Sequence, residues 1–156
     1  FWRSDSGARY VKLRLPLRGA FTLERAPEAI GWIFSPNINI DVTDIAGFPG
    51  WKLGMLAGPI YASRKQHEYF YGVAPQYATA TRPAYAAKDG YSGTQMLASL
   101  SKRFDHMWTG AYFRYDNLRG AAFEDSPLLV KNNFVTFGVA VSWILGESAT
   151  RVAVDD

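Results

Sequence analysis

The chain has 156 residues, of which 48% are hydrophobic and 15% aromatic, and a formal net charge of +3, so it suits one domain with a sizeable core. The absence of cysteine excludes disulfides and thiolate metal sites, and the dispersed basic residues give no support to a nucleic-acid partner. No run of about 18 apolar residues occurs, which excludes a transmembrane helix.

The first half of the chain has three segments in which apolar and polar side chains alternate, at 10–21, 32–42 and 51–62. Successive side chains of a β-strand point to opposite faces, so this period of two predicts three strands. Pro16 lies in the first of them and cannot donate to a β-ladder, which predicts an edge, a bulge or a kink there. The polar residues that share one face of the first two strands are Lys12, Arg14, Arg18, Asn37, Asn39 and Asp41.

The second half of the chain has the same alternation. Three more strands are predicted, at 91–104, 107–116 and 133–145. Long loops are predicted at 63–90 and 117–132, whereas Asp105 and His106 are expected to form a tight turn, and glycine and proline predict a turn region at 43–50. The polar-face residues of the fourth and fifth strands include Gln95, Tyr112, Arg114 and Asp116.

The last predicted strand has one bulky apolar face and one small, partly polar face. The bulky face carries Val135, Phe137, Val139, Val141 and Trp143, and the small face carries Thr136, Gly138, Ala140 and Ser142. In a soluble sandwich or a lipocalin-like barrel the bulky face would point inwards. In an outer-membrane barrel it would contact lipid, and the small face would line the lumen.

Four observations favour the membrane barrel. The connections alternate between long and short, as in outer-membrane barrels, and the strands have about 10 to 12 residues, which a tilted strand needs to cross a bilayer. Five glycines share the polar face, where a crowded lumen uses small side chains and a solvated face gains nothing from them: Gly54, Gly58, Gly93, Gly110 and Gly138. Aromatic residues suited to an interfacial girdle lie near strand ends: Trp32, Trp51, Tyr61, Trp108, Tyr115 and Trp143.

Several longer stretches are distinctive in the identity of their residues as well as in their alternation of apolar and polar side chains. They are Gly31-Trp-Ile-Phe-Ser-Pro36, Tyr69-Phe-Tyr-Gly-Val-Ala-Pro75, Ala80-Thr-Arg-Pro-Ala-Tyr85 with Gly90-Tyr91, Gly110-Ala-Tyr-Phe-Arg-Tyr-Asp-Asn-Leu-Arg-Gly-Ala-Ala-Phe-Glu-Asp-Ser-Pro127, and Val141-Ser-Trp143. Through them the chain from about Val11 to Trp143 resembles the MltA-interacting protein / outer-membrane protein V (MipA/OmpV) family.

This resemblance implies an all-β fold, an antiparallel up-and-down β-barrel in the outer membrane of a Gram-negative bacterium. Some members are described as scaffolds that tether a lytic transglycosylase to a penicillin-binding protein in peptidoglycan turnover, and others are linked to osmotic response or adhesion. The family has no catalytic motif to transfer, so no catalytic, cofactor-binding or metal-binding residue is expected. The expected partners are outer-membrane lipid and those two periplasmic enzymes, and not nucleic acid.

Six strands are too few to close a membrane barrel, whose smallest size is about eight strands. The sequence begins at Phe1 without a signal peptide and without the first strands that the resemblance implies. We therefore expect residues 1–145 to be the C-terminal part of a barrel of about ten strands, followed by a polar tail at 146–156.

Candidate chemistry is sparse. His67 and His106 are the only histidines, and His67 lies in a predicted loop without the second histidine of a zinc helix, so we predict a surface histidine. No Gly-x-Ser-x-Gly elbow supports a serine hydrolase. Arg114 and Asp116 lie two residues apart on one strand face, which predicts a lumen ion pair, with a solute-binding or gating pair as the alternative.

The ten polar residues form one hypothetical lumen surface: Lys12, Arg14, Arg18, Asn37, Asn39, Asp41, Gln95, Tyr112, Arg114 and Asp116. On this hypothesis, the three cations of the first strand oppose Asp41 and Asp116 across the lumen and plug it, because a small barrel encloses little free space.

Three classes of function stay open. A non-enzymatic scaffold would contact cell-wall enzymes through its short turns and its acidic tail with Glu147, Asp155 and Asp156. A pore or binding barrel would take a small solute. An outer-membrane enzyme would need a polar cluster in the long loops at 63–90 or 117–132.

Overall fold

A computed structural model describes residues 1–4, 8–45 and 47–146, and the tail beyond Gly146 lies outside the described residues. Within this part, antiparallel strands and one short helix follow the chain. The elements are β1 (Trp2–Arg3), β2 (Arg9–Arg14), β3 (Leu17–Phe21), β4 (Ala29–Phe34), β5 (Asn37–Ile45), β6 (Phe48–Ala62), α1 (Arg64–Tyr71), β7 (Gly90–Arg103), β8 (Met107–Asn117) and β9 (Asn133–Trp143), with a 3-10 turn at Pro75–Tyr77. The prediction of an all-β, antiparallel fold is confirmed.

Six strands were predicted, whereas the described chain has eight strands in addition to the two-residue β1. Two prolines explain the two extra strands. Pro16 separates β2 from β3, and Pro36 separates β4 from β5, because neither proline can donate to a ladder. The two interruptions lie side by side, since the backbone N–H of Ser35 donates to the carbonyl of Pro16 at 3.1 Å. The predicted break at Pro16 is therefore confirmed, and the chain bends at the same level in both strands.

The sheet follows the order β1-β2-β5-β6-β7-β8-β9, with β3 paired to β4 and β4 also paired to β6. Ile45 pairs with Phe48, so β5 and β6 extend into the region at 43–50 that was predicted to be a turn. Phe104 donates its N–H to Met107, which confirms the tight turn at Asp105 and His106. In the described part of the chain, no ladder joins β9 to the opposite margin formed by β1 and β3.

Cross-strand register gives the sheet two chemically different faces. One row of facing residues across five strands is apolar: Ile40, Met55, Ala98, Phe113 and Phe137. The adjacent row, on the other face, is small or polar: Tyr10, Asp41, Gly54, Ser99, Tyr112 and Gly138. The apolar face is uncovered, since Phe137 and Val139 keep 80% and 82% of their surface exposed. We call the two surfaces the apolar face and the polar face.

Aromatic side chains frame the apolar face at both ends of the strands. Phe34 stacks on Tyr61 at the long-loop end, with ring centroids 6.5 Å apart, and Lys102 lies over the ring of Trp51 at the short-turn end. Trp108 is an exception to the predicted girdle. It faces Ser142 and covers the α-carbon of Gly110, so its ring lies on the polar face.

Glycines on the polar face make room for aromatic rings. A Cβ at Gly138 would come within 2.5 Å of the Tyr112 ring, and a Cβ at Gly110 would come within 2.6 Å of the Trp108 ring. At Gly58 a Cβ would collide with the carbonyl of Pro36, which lies at the break between β4 and β5. The small side chains that the sequence places on this face are thus required by its crowding.

Substitution Gly138→Ala tests this crowding. We expect the variant to lose about 1–3 kcal/mol of unfolding free energy, because the Tyr112 ring must leave its position over residue 138. In a Tyr112→Ala background the same change should cost much less, since the ring is gone. Urea unfolding of the four proteins in detergent measures the coupling, and equal losses in both backgrounds would contradict the ring contact as the cause.

The described residues include no helix that has both the length and the apolar character to span a membrane.

The most buried apolar side chains lie at the long-loop end of the sheet rather than along its strands. Ala62, Ala87 and Phe123 are each 2% exposed, and Val73 and Ala121 are almost as buried. These residues belong to the end of β6 and to the two long connections that follow β6 and β8.

Candidate functional site

The polar face holds all ten residues that were proposed as a lumen surface. Lys12 and Asp41 line a cavity of about 650 Å³ together with Lys52, Ser99 and Ser101. A second cavity of about 180 Å³ lies nearer the long-loop end. Its lining includes Arg18, Asn37, Gln95 and Arg114, and register adds Arg14, Asn39, Tyr112 and Asp116 to the same face.

Arg114 and Asp116 form the ion pair that their spacing predicts. The guanidinium donates from Nε to Oδ2 at 2.7 Å and from a terminal nitrogen to Oδ1 at 2.8 Å. The geometry is bidentate, the strongest arrangement for these two groups. The Asp116 side chain is only 16% exposed, so the pair compensates a carboxylate that is largely removed from solvent.

The predicted ion network across the lumen is not formed. Among the described residues, no ion pair joins Lys12, Arg14 or Arg18 to Asp41, and Asp116 is paired with Arg114. The ammonium of Lys12 lies over the aromatic rings of Phe1 and Tyr10, at 5.6 and 5.4 Å. The polar face therefore keeps open cavities at the level where charges were expected to close it.

A cap covers the polar face at the long-loop end, and we define it as residues 63–89 and 118–132. Its helix α1 lies in the segment that was predicted to be a loop, so that prediction is wrong. Ser63 starts the helix: its hydroxyl accepts the N–H of Gln66 at 3.3 Å and that of Trp32 in β4 at 3.1 Å. The pattern Ser-x-x-Gln matches the sequence of a capping box and is the signal that locates the helix. Only the serine half of the box forms, since the N–H of Ser63 donates to the carbonyl of Trp32.

His67 is buried in the cap, which corrects the prediction of a surface histidine in a loop. Its side chain is 2% exposed and lies on α1. Nδ1 donates to the carbonyl of Lys88 at 2.5 Å, so in the neutral ring Nε2 accepts from the hydroxyl of Ser92, 2.7 Å away. These bonds hold the helix against the start of β7.

A β-bulge directs Ser92 towards this histidine. Ile60 pairs with Gly93 and Tyr61 pairs with Tyr91, so Ser92 has no partner across the ladder. Such an extra residue turns its side chain out of the regular alternation. Gly93 follows with a φ of +126°, a conformation that a residue with a side chain rarely adopts.

Phe123 packs the connection at 118–132 onto the connection at 63–89. Its ring stacks on Tyr71 with centroids 3.7 Å apart and meets His67 edge-on at 4.8 Å. The hydroxyl of Ser126 donates to the carbonyl of Tyr71 at 2.7 Å.

Burial raises the pKa of Tyr71 above its ordinary value, and burial followed by the charges of Asp125 and Glu68 raises that of Tyr85.

The cap contains one hydrogen-bonded pair of side chains that resembles part of a catalytic triad. Ser92 and His67 are within bonding distance, but the other ring nitrogen of His67 is held by a backbone carbonyl, where a catalytic triad has a carboxylate. In the described part of the chain, no three His, Asp or Glu side chains lie close enough together to hold a metal ion. The cap is therefore a packed cover with one interior polar cluster.

These features define a class: an all-β antiparallel protein with an exposed apolar face, a polar face lined by glycines, and a packed cap at one end. A comparison with known protein families assigns the chain to one of them. The chain belongs to the family described as MltA-interacting protein MipA, whose model matches residues 5–145. This family is associated with the outer membrane. Neither a curated protein nor a solved structure matches the chain.

Proposed function

We propose that the protein is a non-enzymatic outer-membrane β-barrel protein that serves as a scaffold for periplasmic peptidoglycan-remodelling enzymes, a lytic transglycosylase and a penicillin-binding protein. The observation that carries the proposal is the family match over residues 5–145, together with the exposed apolar face. In this arrangement residues 1–145 belong to a closed barrel, and residues 146–156 form its tail.

Lipid is the partner that suits the apolar face. Phe137 and Val139 are 80% and 82% exposed, and their neighbours Val135, Val141 and Trp143 also project from β9. Water would leave this whole surface solvated at a cost of roughly 25 cal/mol per Å². Hydrocarbon removes that cost, and the polar face with its cavities then surrounds the barrel lumen.

Substitution Val139→Arg tests the membrane assignment. At the middle of a bilayer the charge should cost about 2–4 kcal/mol of folding free energy in lipid vesicles. Val130→Arg is a matched control, since Val130 is also highly exposed, at 89%, but lies in the loop after β8. We expect the control to fold with unchanged stability, and equal stability of both variants in vesicles would contradict the membrane assignment.

The contact surface for the enzymes is the end of the barrel with short turns, which we place in the periplasm. The two long connections lie at the other end, where they form the cap and bury part of their own side chains. The short-turn end offers the exposed side chains of Phe48, Phe104 and Asp105. Outer-membrane barrels have their short turns on the periplasmic side, which is where cell-wall enzymes work.

Capture of a purified lytic transglycosylase by the detergent-solubilised protein tests the scaffold role. We expect Asp105→Arg at the short-turn end to reduce capture at least about fivefold, because charge mismatch at an interface slows association and weakens it. Glu24→Arg, a charge reversal at another exposed residue, in the loop at the opposite end, is the control. No capture by any form, or loss of capture only with the control, would refute a scaffold that uses this end.

A second candidate function, a small-solute pore or binding barrel, is favoured by the open cavity of about 650 Å³ on the polar face. Within the described lining, Arg3, Lys12 and Lys52 are accompanied by one carboxylate, Asp41, which gives the cavity a positive balance. This chemistry suits a small anion.

Liposome swelling separates the two functions. A pore of this kind should pass small anions faster than cations of the same size, and Lys52→Glu should reduce or reverse that preference, because one cation of the cavity becomes an anion. Lys65→Glu, an exposed change on α1, is the control. Reconstituted protein that causes no swelling would rule out the pore.

A further inference from the structure

A groove of about 540 Å³ runs along the apolar face over β6 and β7. Its floor lies at Ala57 and Ala98, because these short side chains stand in adjacent cross-strand rows between longer ones. Ile40 on β5 and Phe113 on β8 form the two sides. Every residue of the described lining is apolar, so the groove suits a flexible hydrocarbon chain and offers no partner to a polar group.

The ladders of the described strands place two charged side chains on the apolar face, and both are cations at the short-turn end. Arg9 pairs with Val42, and Lys102 pairs with Trp51. The ammonium of Lys102 lies over the rings of Trp51 and Phe104, at 5.7 and 5.5 Å from their centroids. No carboxylate of the described residues forms an ion pair with it. A cation at a membrane interface that lacks a counter-ion in the protein attracts an anionic lipid headgroup.

Lys102 is aligned with the groove along a single strand. Ala98 lies four residues before Lys102 in β7, on the same face, with Leu100 between them. At about 3.3 Å per residue the two positions are about 13 Å apart along the strand. The path from Lys102 to Ala98 leads from the short-turn end towards the middle of the strands, as an acyl chain leads from its headgroup into a bilayer. Arg9 has no such alignment, since β2 contributes no residue to the described lining.

We propose that the groove binds one acyl chain of a glycerophospholipid whose phosphate is bound by the ammonium of Lys102. The lipid belongs to the leaflet at the short-turn end, and the proposal rests on the membrane assignment made above. Groove and cation act on two parts of one molecule, so the binding of either part raises the effective concentration of the other.

The apolar face of β9 provides the contrast. Its strand, Asn133–Trp143, includes no charged side chain, and Phe137 and Val139 stand out from it, 80% and 82% exposed. Lipid in contact with β9 therefore has no group that distinguishes one headgroup from another. Only beside β7 do an apolar groove and an unpaired cation of the described chain select a phospholipid.

Native mass spectrometry of the detergent-solubilised protein, with phosphatidylglycerol and diacylglycerol of the same chains added separately, tests the role of the phosphate. We expect one phosphatidylglycerol to be retained per chain, with an affinity about tenfold above that of diacylglycerol, the value of one charge-assisted hydrogen bond. Lys102→Gln should remove this preference without changing the affinity for diacylglycerol, and Lys102→Arg should keep it. Lys131→Gln, the same loss of charge at an exposed residue of the cap, is the control and should also keep it.

Ala98→Leu tests the groove, because the larger side chain fills its floor. It should lower the affinity for both lipids equally, at least about fivefold, since more than one CH₂ group of the acyl chain then loses its contact. Val135→Leu, on the same face of β9 and outside the described lining, should change neither affinity. Heat-modifiable migration on a gel reports the folding of each variant, and Ala57→Leu fills the same floor if Ala98→Leu does not fold.

Three results would each overturn the proposal: equal affinity for the two lipids, a preference for the phosphate that survives Lys102→Gln, or binding that Ala98→Leu and Ala57→Leu leave unchanged. The last result would mean that lipid covers the face without occupying a site. Val139→Arg in vesicles tests the membrane assignment independently. A membrane protein by that test which retains no phospholipid would refute the lipid site alone.

Discussion

The two-residue repeat of the β-strand is the constraint on which the structure depends. Each residue on a strand has the opposite orientation to its neighbour, so register alone decides which side chains share a surface. Ile40, Met55, Ala98, Phe113 and Phe137 fall in one row through this rule, and the next row holds Asp41, Gly54, Tyr112 and Gly138. A slip of one residue in any ladder would mix the two surfaces.

Prolines and glycines shape the polar face within that constraint. Pro16 and Pro36 interrupt neighbouring strands at the same level, and the carbonyl of Pro36 then occupies the space in which a side chain at residue 58 would lie. Tyr112 covers Gly138, and Trp108 covers Gly110. The face thus contains large rings and charged groups, and it accommodates them by having no side chain on the residue beneath.

The location of the buried core follows from the same division. An apolar face that stays uncovered cannot supply a core, so the most buried residues collect where the two long connections cover the end of the sheet. His67, Phe123 and Ser126 tie these connections to each other and to β7. This packing gives the long loops a fixed shape and creates the cleft beside Gln66, whose oxygen lacks a partner.

The sequence alone determined the positions of the long strands, their two faces, the break at Pro16, the pairing of Arg114 with Asp116 and the family, because strand alternation and turn chemistry are local properties. It did not determine the cap. His67 and Ser92 are 25 residues apart, and Ser126 is 55 residues from the Tyr71 carbonyl to which it donates. The expected ion network was also misplaced, since it depends on which groups meet across strands. Only the tertiary structure decided these contacts, because each joins side chains whose local sequence holds no record of the partner.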